Sequence, residues 1–213
     1  AKRHMLVLAR RGGQGQPKFV SPFTGGAGTT CGEWTRPVFR TPSGEVIKGF
    51  LKAALAVGFC PVDCPFCYLQ MAYTDGMTIH LDWEDLAAEL QNEWAGFPYP
   101  INVSETSGVV EYDEWFAGPN GEGSMVQHVI DACASAEVTP FLLTKVRFPS
   151  YLRYSGKEHV GISAMPEEIR RAMAPHGSPT DELVRSLAAA VAAVASNPVI
   201  RLFFFLQERE EYP

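Results

Sequence analysis

Three cysteines within eight residues constrain this chain more than any other feature of its sequence. Cys60, Cys64 and Cys67 follow the spacing C-x3-C-x2-C. Cys64 and Cys67 are too close in sequence for an ordinary disulfide, and the total of five cysteines is odd, with Cys31 and Cys133 outside the loop. Metal ligation therefore explains the set better than a disulfide framework does, and it indicates a reducing, cytoplasmic compartment.

The number of sulfur donors indicates the kind of metal site. Three thiolates can ligate three irons of a [4Fe–4S] cluster and leave the fourth iron open, whereas ordinary ferredoxin sites use four cysteines. An open iron can chelate the amino and carboxylate groups of S-adenosylmethionine (SAM), whose reductive cleavage releases a 5′-deoxyadenosyl radical. The alternative is zinc, but structural zinc needs four ligands and the sequence has no second C-x2-C. The spacing therefore favours the iron–sulfur cluster.

Short apolar segments alternate with helical patterns along the chain, which favours a parallel sheet covered by helices and hence an α/β fold. Strands are predicted at 46–57, 100–104, 138–146, 159–164 and 199–206, and helices at 81–94, 124–136, 166–173 and 178–196. A full eight-fold barrel needs about 250 residues, and this chain has 213. The predicted architecture is an open partial (β/α) barrel of about five to six parallel strands, shortened at the C-terminus.

Composition and charge limit the organisation and the partners of the chain. Residues 1–45 are rich in Gly, Pro, Thr and Ser, and they predict a loop or hairpin segment in the same domain as residues 46–213. No apolar run reaches the length needed to cross a bilayer, so no membrane contact is expected. The formal net charge of -6 disfavours a broad duplex-binding surface, because phosphate neutralisation requires a basic excess. Any contact with nucleic acid would therefore be local.

Residues 64–70, with the sequence CPFCYLQ, resemble spore photoproduct lyase and its relatives in the radical SAM superfamily. That family carries an aromatic residue before the third cysteine and Tyr-Leu-Gln after it. The resemblance continues through residues 77–82, 141–145 and 174–179 in the same order, and it covers about residues 15–207. It implies a radical SAM core at 46–213 with the partial barrel of that superfamily. It also implies a [4Fe–4S] cluster, SAM, and an external electron donor such as flavodoxin or ferredoxin.

Carried over residue by residue, the resemblance implies roles for side chains around SAM. Phe66 would pack beside the adenine, Lys145 would reach the SAM carboxylate, and Ser163 would bond to the ribose or the carboxylate. Tyr68 would stand beside the radical centre, where the lyase uses the matching tyrosine to relay a hydrogen atom. Each position also has a structural alternative. Phe66 could be a core aromatic, and Lys145 could be an exposed strand end. Ser163 could cap a strand end, and Tyr68 could be a buried tyrosine with one hydrogen bond.

The main departure from the lyase lies within residues 102–108. The lyase has a cysteine where this chain has Glu105, and a carboxylate cannot return a hydrogen atom to a product radical. Related radical SAM enzymes carry a Gly-Glu pair here, whose carboxylate accepts hydrogen bonds from the SAM amino group, and Ser104 with Glu105 resembles a variant of that pair. Glu105 is therefore interpreted as a SAM ligand, with Ser107 beside it.

Three functions are compatible with these observations. The first is an enzyme that reductively cleaves SAM and abstracts hydrogen from a substrate such as a nucleobase or nucleotide. The second is repair of thymine dimers in DNA, against which Glu105 and the shorter chain both argue. The third is a non-catalytic iron–sulfur or zinc-binding module of a larger assembly. Cys133 is expected to be a small buried helix residue, and Cys31 lies in the Gly-rich segment.

Overall fold

The computed structural model describes residues 5–9, 20–23, 38–41, 43–48, 50–53, 55–58, 60–67, 76–81, 83–103 and 108–194. The strands are β1 (Met5–Ala9), β2 (Val20–Phe23), β3 (Val38–Arg40), β4 (Val46–Lys48), β5 (Phe50–Ala53), β6 (Ala56–Gly58), β7 (Gly76–His80), β8 (Ile101–Asn102), β9 (Pro140–Thr144) and β10 (His159–Ile162). The helices are α1 (Trp83–Glu93), α2 (Val110–Asp113), α3 (Met125–Ser135), α4 (Glu167–Met173) and α5 (Thr180–Val194). None of these helices is long and apolar enough to cross a bilayer.

The largest sheet among the described residues has the strand order β10-β9-β8-β5-β2. Strands β5, β8, β9 and β10 are parallel, and β2 pairs with β5 in the antiparallel sense. Since parallel strands end at the same edge of a sheet, the segments that follow β8, β9 and β10 all lie at one edge, where open α/β folds bind ligands. The α/β class and the parallel sheet predicted from the sequence are confirmed.

The predicted strand at 46–57 is wrong. This segment forms β4, β5 and β6, which belong to three different sheets: β4 pairs with β3, β5 lies in the main sheet, and β6 pairs with β7. Val46, predicted to be buried, is 55% exposed. The segment is mostly apolar along its whole length, with only Lys48, Gly49 and Lys52 as exceptions, and periodicity alone does not reveal where the chain changes partners. The strand predicted at 199–206 lies outside the described residues.

Strands also form within residues 1–45, where the sequence predicted loops or hairpins. The antiparallel β3–β4 pair is such a hairpin, and its turn closes with a hydrogen bond from the Gly44 N–H to the Thr41 carbonyl at 2.8 Å. Gly44 has φ +87°, a conformation that glycine adopts without steric cost. In contrast, β1 pairs in parallel with β7, and β2 pairs with β5. The N-terminal segment therefore contributes a strand to each of the three sheets among the described residues, and each of these sheets also contains strands from beyond residue 45.

Helices α1, α3 and α5 bury apolar side chains against each other or against the sheet. Helix α1 packs on α3, α3 contacts β9, and α5 contacts β10. The apolar side chains between them are almost fully buried, including Leu86, Leu90, Ile101, Ile130, Leu142 and Ile162. Helix α3 begins after Ser124, whose Oγ accepts a hydrogen bond from the Gln127 N–H at 2.9 Å, a favourable N-cap.

A fully buried carboxylate joins the end of α2 to the start of α3. Asp113 is 0% exposed, and its Oδ1 accepts from the Val126 N–H at 2.9 Å. Its Oδ2 accepts from Ser124 Oγ and from the Tyr151 hydroxyl, both at 2.8 Å. Burial, together with this hydrogen bond and the charge of Asp113, raises the pKa of Tyr151. Asp113 therefore connects three separate segments through charge-assisted hydrogen bonds.

Candidate cofactor site

The three loop cysteines are brought together by two tight turns. The Asp63 N–H donates to the Cys60 carbonyl at 3.1 Å, and the Cys67 N–H donates to the Cys64 carbonyl at 2.9 Å. Asp63 has φ +52°, a left-handed conformation that few side chains other than Asn and Asp adopt readily. Cys64 is buried, whereas Cys60 and Cys67 are half-buried. All three pack in one small apolar cluster, whose other members are Val62, Val146, Met165 and Ala174.

The chemistry of these thiols fits a cationic iron–sulfur group. No group of three His, Cys, Asp or Glu side chains among the described residues is arranged as a ready-made metal site. Burial, with the charge of Glu111 as the second cause, raises the pKa of Cys60 to about 12, and burial also raises the pKa of Cys64. These thiols are therefore protonated near neutral pH unless a cation offsets the cost of burying thiolates. A set of three soft sulfur donors matches iron in a cluster.

Two of the predicted SAM-binding residues lie side by side at the carboxyl edge of the sheet. Lys145 follows β9, and Ser163 follows β10. The Ser163 N–H donates to the Thr144 carbonyl at 2.8 Å, so strand pairing continues to these positions. Both residues are half-buried, and the positive charge of Lys145 lowers the pKa of Cys60 and of Cys64 against the effect of burial. Lys145 is therefore near the cysteine loop and is not a fully exposed strand end.

The remaining predicted residues are placed as follows. Phe66 is 47% exposed on the cysteine loop, so its alternative as a core aromatic is wrong. Cys133 is 1% exposed within α3, as expected. Tyr68, Glu105, Ser107 and Cys31 lie outside the described residues.

A buried carboxylate that sequence reasoning missed, Glu111, lies beside the cysteine loop. Its Oε1 accepts from Thr144 Oγ1 at 3.0 Å and from the Lys145 N–H at 3.1 Å. Its Oε2 is buried and has no hydrogen-bond partner among the described residues. Burial raises the pKa of Glu111. In sequence, Glu111 resembles any acidic residue in the first turn of a helix, where solvated carboxylates are common, so no sequence signal distinguishes it.

Gly108 leaves the space that the Glu111 carboxylate occupies, because a Cβ at this position would overlap Glu111 Oε2. Gly108→Ala is expected to push the carboxylate away from Thr144 and Lys145. Loss of these two hydrogen bonds should destabilise the fold by about 2 kcal/mol. Urea unfolding measures the loss of stability, and faster hydrogen exchange at the Lys145 amide locates it.

Gly118→Ala is the matched control for this prediction. Its Cβ would lie 2.7 Å from Glu122 Oε2, but Glu122 is exposed and can turn into solvent. We expect little change in stability for Gly118→Ala. Equal losses in the two variants, or an unchanged exchange rate at Lys145, would contradict the role given to Gly108.

A cavity of about 400 Å³ adjoins the cysteine loop. Its walls come from the loop, from α2 and the turn after it, and from the segments after β9 and α4, and are formed by Pro61, Val62, Val110, Glu111, Glu114, Trp115, Val146, Arg147, His176 and Ser178. The Trp115 ring packs on Tyr112 with centroids 5.6 Å apart, yet Trp115 is 52% exposed. Arg147 Nη2 and Glu114 Oε1 form an ion pair at 3.1 Å.

Residues 174–179, one of the segments that resemble the lyase, anchor the chain after β9. The Ser178 N–H donates to the Lys145 carbonyl at 3.0 Å, and the Arg147 N–H donates to Ser178 Oγ at 2.8 Å. A Cβ at Gly177 would lie 3.1 Å from the Lys145 carbonyl oxygen, so a larger residue would crowd this contact. This segment therefore fixes the backbone that carries Lys145 and one wall of the cavity.

Comparison with known proteins identifies the fold. No protein-family profile matches the chain, and no curated protein sequence matches it. The structure of spore photoproduct lyase complexed with dinucleoside spore photoproduct superimposes with a TM-score of 0.57 and 21% identity over 72% of this chain and 44% of that one. A double mutant of the lyase with bound AdoMet and dinucleoside spore photoproduct gives a TM-score of 0.56 and 21% identity over 74% and 44%.

The resemblance to spore photoproduct lyase predicted from the sequence is thus confirmed at the level of the fold. The chain spans less than half the length of those lyase structures, at 44%.

Proposed function

We propose that this chain is a radical SAM enzyme in which Cys60, Cys64 and Cys67 hold a [4Fe–4S] cluster and SAM binds beside them. The observation that carries the proposal is the packing of these three cysteines in one cluster, next to the carboxyl edge of a parallel sheet whose fold matches the lyase. When bound, the cluster supplies the electron that cleaves SAM and yields a 5′-deoxyadenosyl radical. The chain's own residues then have to hold SAM, exclude water and position the substrate.

Lys145 and Ser163 are suited to hold the polar groups of SAM. The Lys145 ammonium stands close enough to the cysteine loop to influence two of its thiols, and it would pair with the SAM carboxylate. Ser163 is held beside it by strand pairing and would bond to the ribose or the carboxylate. The exposed ring of Phe66 would cover the adenine.

Three further roles are proposed on residues outside the described part of the chain. Glu105 would accept hydrogen bonds from the SAM amino group, with Ser107 beside it. Tyr68, which follows the third loop cysteine, would stand at the radical centre and relay a hydrogen atom. A strand at 199–206 would extend the parallel sheet towards the open partial barrel expected for this superfamily.

We take a nucleobase or nucleotide as the substrate class, an external flavodoxin or ferredoxin as the electron donor, and the cytoplasm as the compartment. The matching lyase structures contain a dinucleoside photoproduct, which supports a nucleic-acid substrate. The same observation favours lyase-like repair of thymine dimers as the second candidate. Glu105 stands against that candidate, because it replaces the thiol that would quench the product radical. A role as a non-catalytic module is the third candidate.

The proposal is tested by anaerobic reconstitution with iron and sulfide, followed by addition of SAM and dithionite. We expect visible absorbance typical of an iron–sulfur cluster and formation of 5′-deoxyadenosine. The control is the same protein reconstituted with zinc, which cannot transfer the electron. A fully loaded cluster that yields no 5′-deoxyadenosine would reject the enzyme and leave the non-catalytic module. Breakage of the bond that joins the two bases of a dinucleoside photoproduct, with both nucleosides left intact, would instead favour repair.

A further inference from the structure

The cavity beside the cysteine loop carries a more specific inference about the substrate. We propose that it binds one nucleobase, stacked on the ring of Trp115, with its polar edge read by Glu114 and Arg147. The inference rests on the proposed function, since it names the place where that enzyme would hold its substrate. It concerns residues to which neither the sequence motifs nor the cofactor site gives a role.

Trp115 has the properties of a stacking platform. An indole that is 52% exposed leaves a large apolar area in water unless a ligand covers it. Its orientation is nevertheless fixed, because the ring packs on the fully buried Tyr112 at an interplanar angle of 59°. The backbone that carries the ring is held as well, because the Trp115 backbone N–H donates to the Tyr112 carbonyl at 2.9 Å. A pre-oriented aromatic face in a cavity wall suits a planar ring better than a flexible aliphatic ligand.

Glu114 and Arg147 supply the hydrogen-bonding groups that a nucleobase edge requires. Their ion pair at 3.1 Å presents guanidinium donors next to carboxylate acceptors, and each base edge carries donors or acceptors of this kind. Both side chains are more than half exposed, Arg147 at 57% and Glu114 at 59%. Their ion pair is therefore weak, and a ligand can replace it. The Arg147 backbone is fixed by its bond to Ser178 Oγ. The polar edge of the cavity therefore has a defined position.

The size and the location of the cavity agree with a single base. A volume of about 400 Å³ lies in the range of small-molecule sites and can hold a base with its sugar. The cavity wall includes Pro61 and Val62 of the cysteine loop, so a base bound there lies next to the proposed radical source. The net charge of -6 agrees with recognition through stacking and edge contacts instead of extended phosphate contacts.

The test measures nucleotide binding by anaerobic calorimetry on the cluster-loaded enzyme with saturating SAM. Thymidine 5′-monophosphate and adenosine 5′-monophosphate are the probes, and ribose 5-phosphate reports binding of the sugar phosphate alone. Trp115→Ala is expected to weaken binding of the better nucleotide by about tenfold, as loss of a stacked base implies. Trp115→Phe should restore most of the affinity, because it keeps an aromatic face. Ribose 5-phosphate should bind no better to the wild type than to Trp115→Ala.

Arg147→Ala tests the polar edge, and Arg185→Ala is its matched control. Arg185 forms an ion pair with Asp181 at 2.8 Å on α5, is similarly exposed, and does not line the cavity. We expect weaker nucleotide binding only for Arg147→Ala. Equal affinity of wild type and Trp115→Ala, with both proteins folded by circular dichroism, would overturn the inference.

Two outcomes separate this inference from the proposed function. Formation of 5′-deoxyadenosine without binding of either nucleotide rejects the base site and leaves the radical SAM enzyme. Nucleotide binding that depends on Trp115, without cleavage of SAM, supports the base site and rejects the enzyme.

Discussion

Cys64→Ala is expected to lose the cluster and, with it, all formation of 5′-deoxyadenosine. The variant removes one of three sulfur donors, and two cysteines cannot hold a [4Fe–4S] cluster with a single open iron. Iron content and visible absorbance after anaerobic reconstitution should fall to background, and chromatography should detect no cleavage product. The fold itself should persist, because Cys64 belongs to a small cluster with Val62 and Ala174 outside the main core.

Cys133→Ala is the matched control for this prediction. Cys133 is as buried as Cys64, with 1% exposure against 6%, but it lies in α3 among the core residues. It should keep the cluster and the activity and lose only a small amount of stability. Iron retention by Cys64→Ala, or loss of iron in Cys133→Ala, would show that the ligands are not those proposed.

Asp113→Ala is expected to have the largest effect on stability, a loss of about 4 kcal/mol. It leaves the Val126 N–H, the Ser124 hydroxyl and the Tyr151 hydroxyl without their carboxylate acceptor in a buried place, and each unpaired buried group costs about 1–3 kcal/mol. The costs are not additive, since side chains and water rearrange. Urea unfolding followed by circular dichroism measures the change.

Two comparisons sharpen the Asp113 prediction. Asp113→Asn keeps one carbonyl oxygen for the Val126 N–H and should cost about half as much. Asp181→Ala removes an exposed carboxylate, 67% accessible, from a surface ion pair and should change stability by less than about 0.5 kcal/mol. A loss below about 1 kcal/mol in Asp113→Ala would mean that the buried network does not hold α2 against α3.

The sequence predicted those parts of the fold that depend on local pattern. Helices α1, α3, α4 and α5 lie within their predicted ranges, because each has an apolar face at helical spacing or a clear start signal. The one-turn helix α2 was missed, since four residues carry no periodic signal. The pairing of β1 with β7 was also missed, because it joins residues about 70 positions apart. The hydrophobic pattern of a single segment does not indicate which distant segment it pairs with.

Some residues of the candidate site could likewise be predicted from the sequence, and others could not. The cysteines are recognisable from their spacing, whereas Lys145 and Ser163 were singled out by the resemblance to the lyase. Glu111 and Trp115 were not found, because each is a single residue of ordinary type within or beside a short helix. Their importance arises only from tertiary placement: one carboxylate is buried beside the cysteine loop, and one indole is held at a cavity wall.

The turn that carries Glu114 and Trp115 begins at Asp113, so the firmest polar contacts of this region lie directly next to its most exposed side chains. Asp113 thereby stabilises the fold, while its neighbours Glu114 and Trp115 are left to contact a ligand. Substitutions at 114 and 115 can change what the protein selects without disturbing how it folds. Libraries randomised at these two positions should consequently yield many well-folded variants, and a lineage could acquire a new ligand here in very few mutational steps.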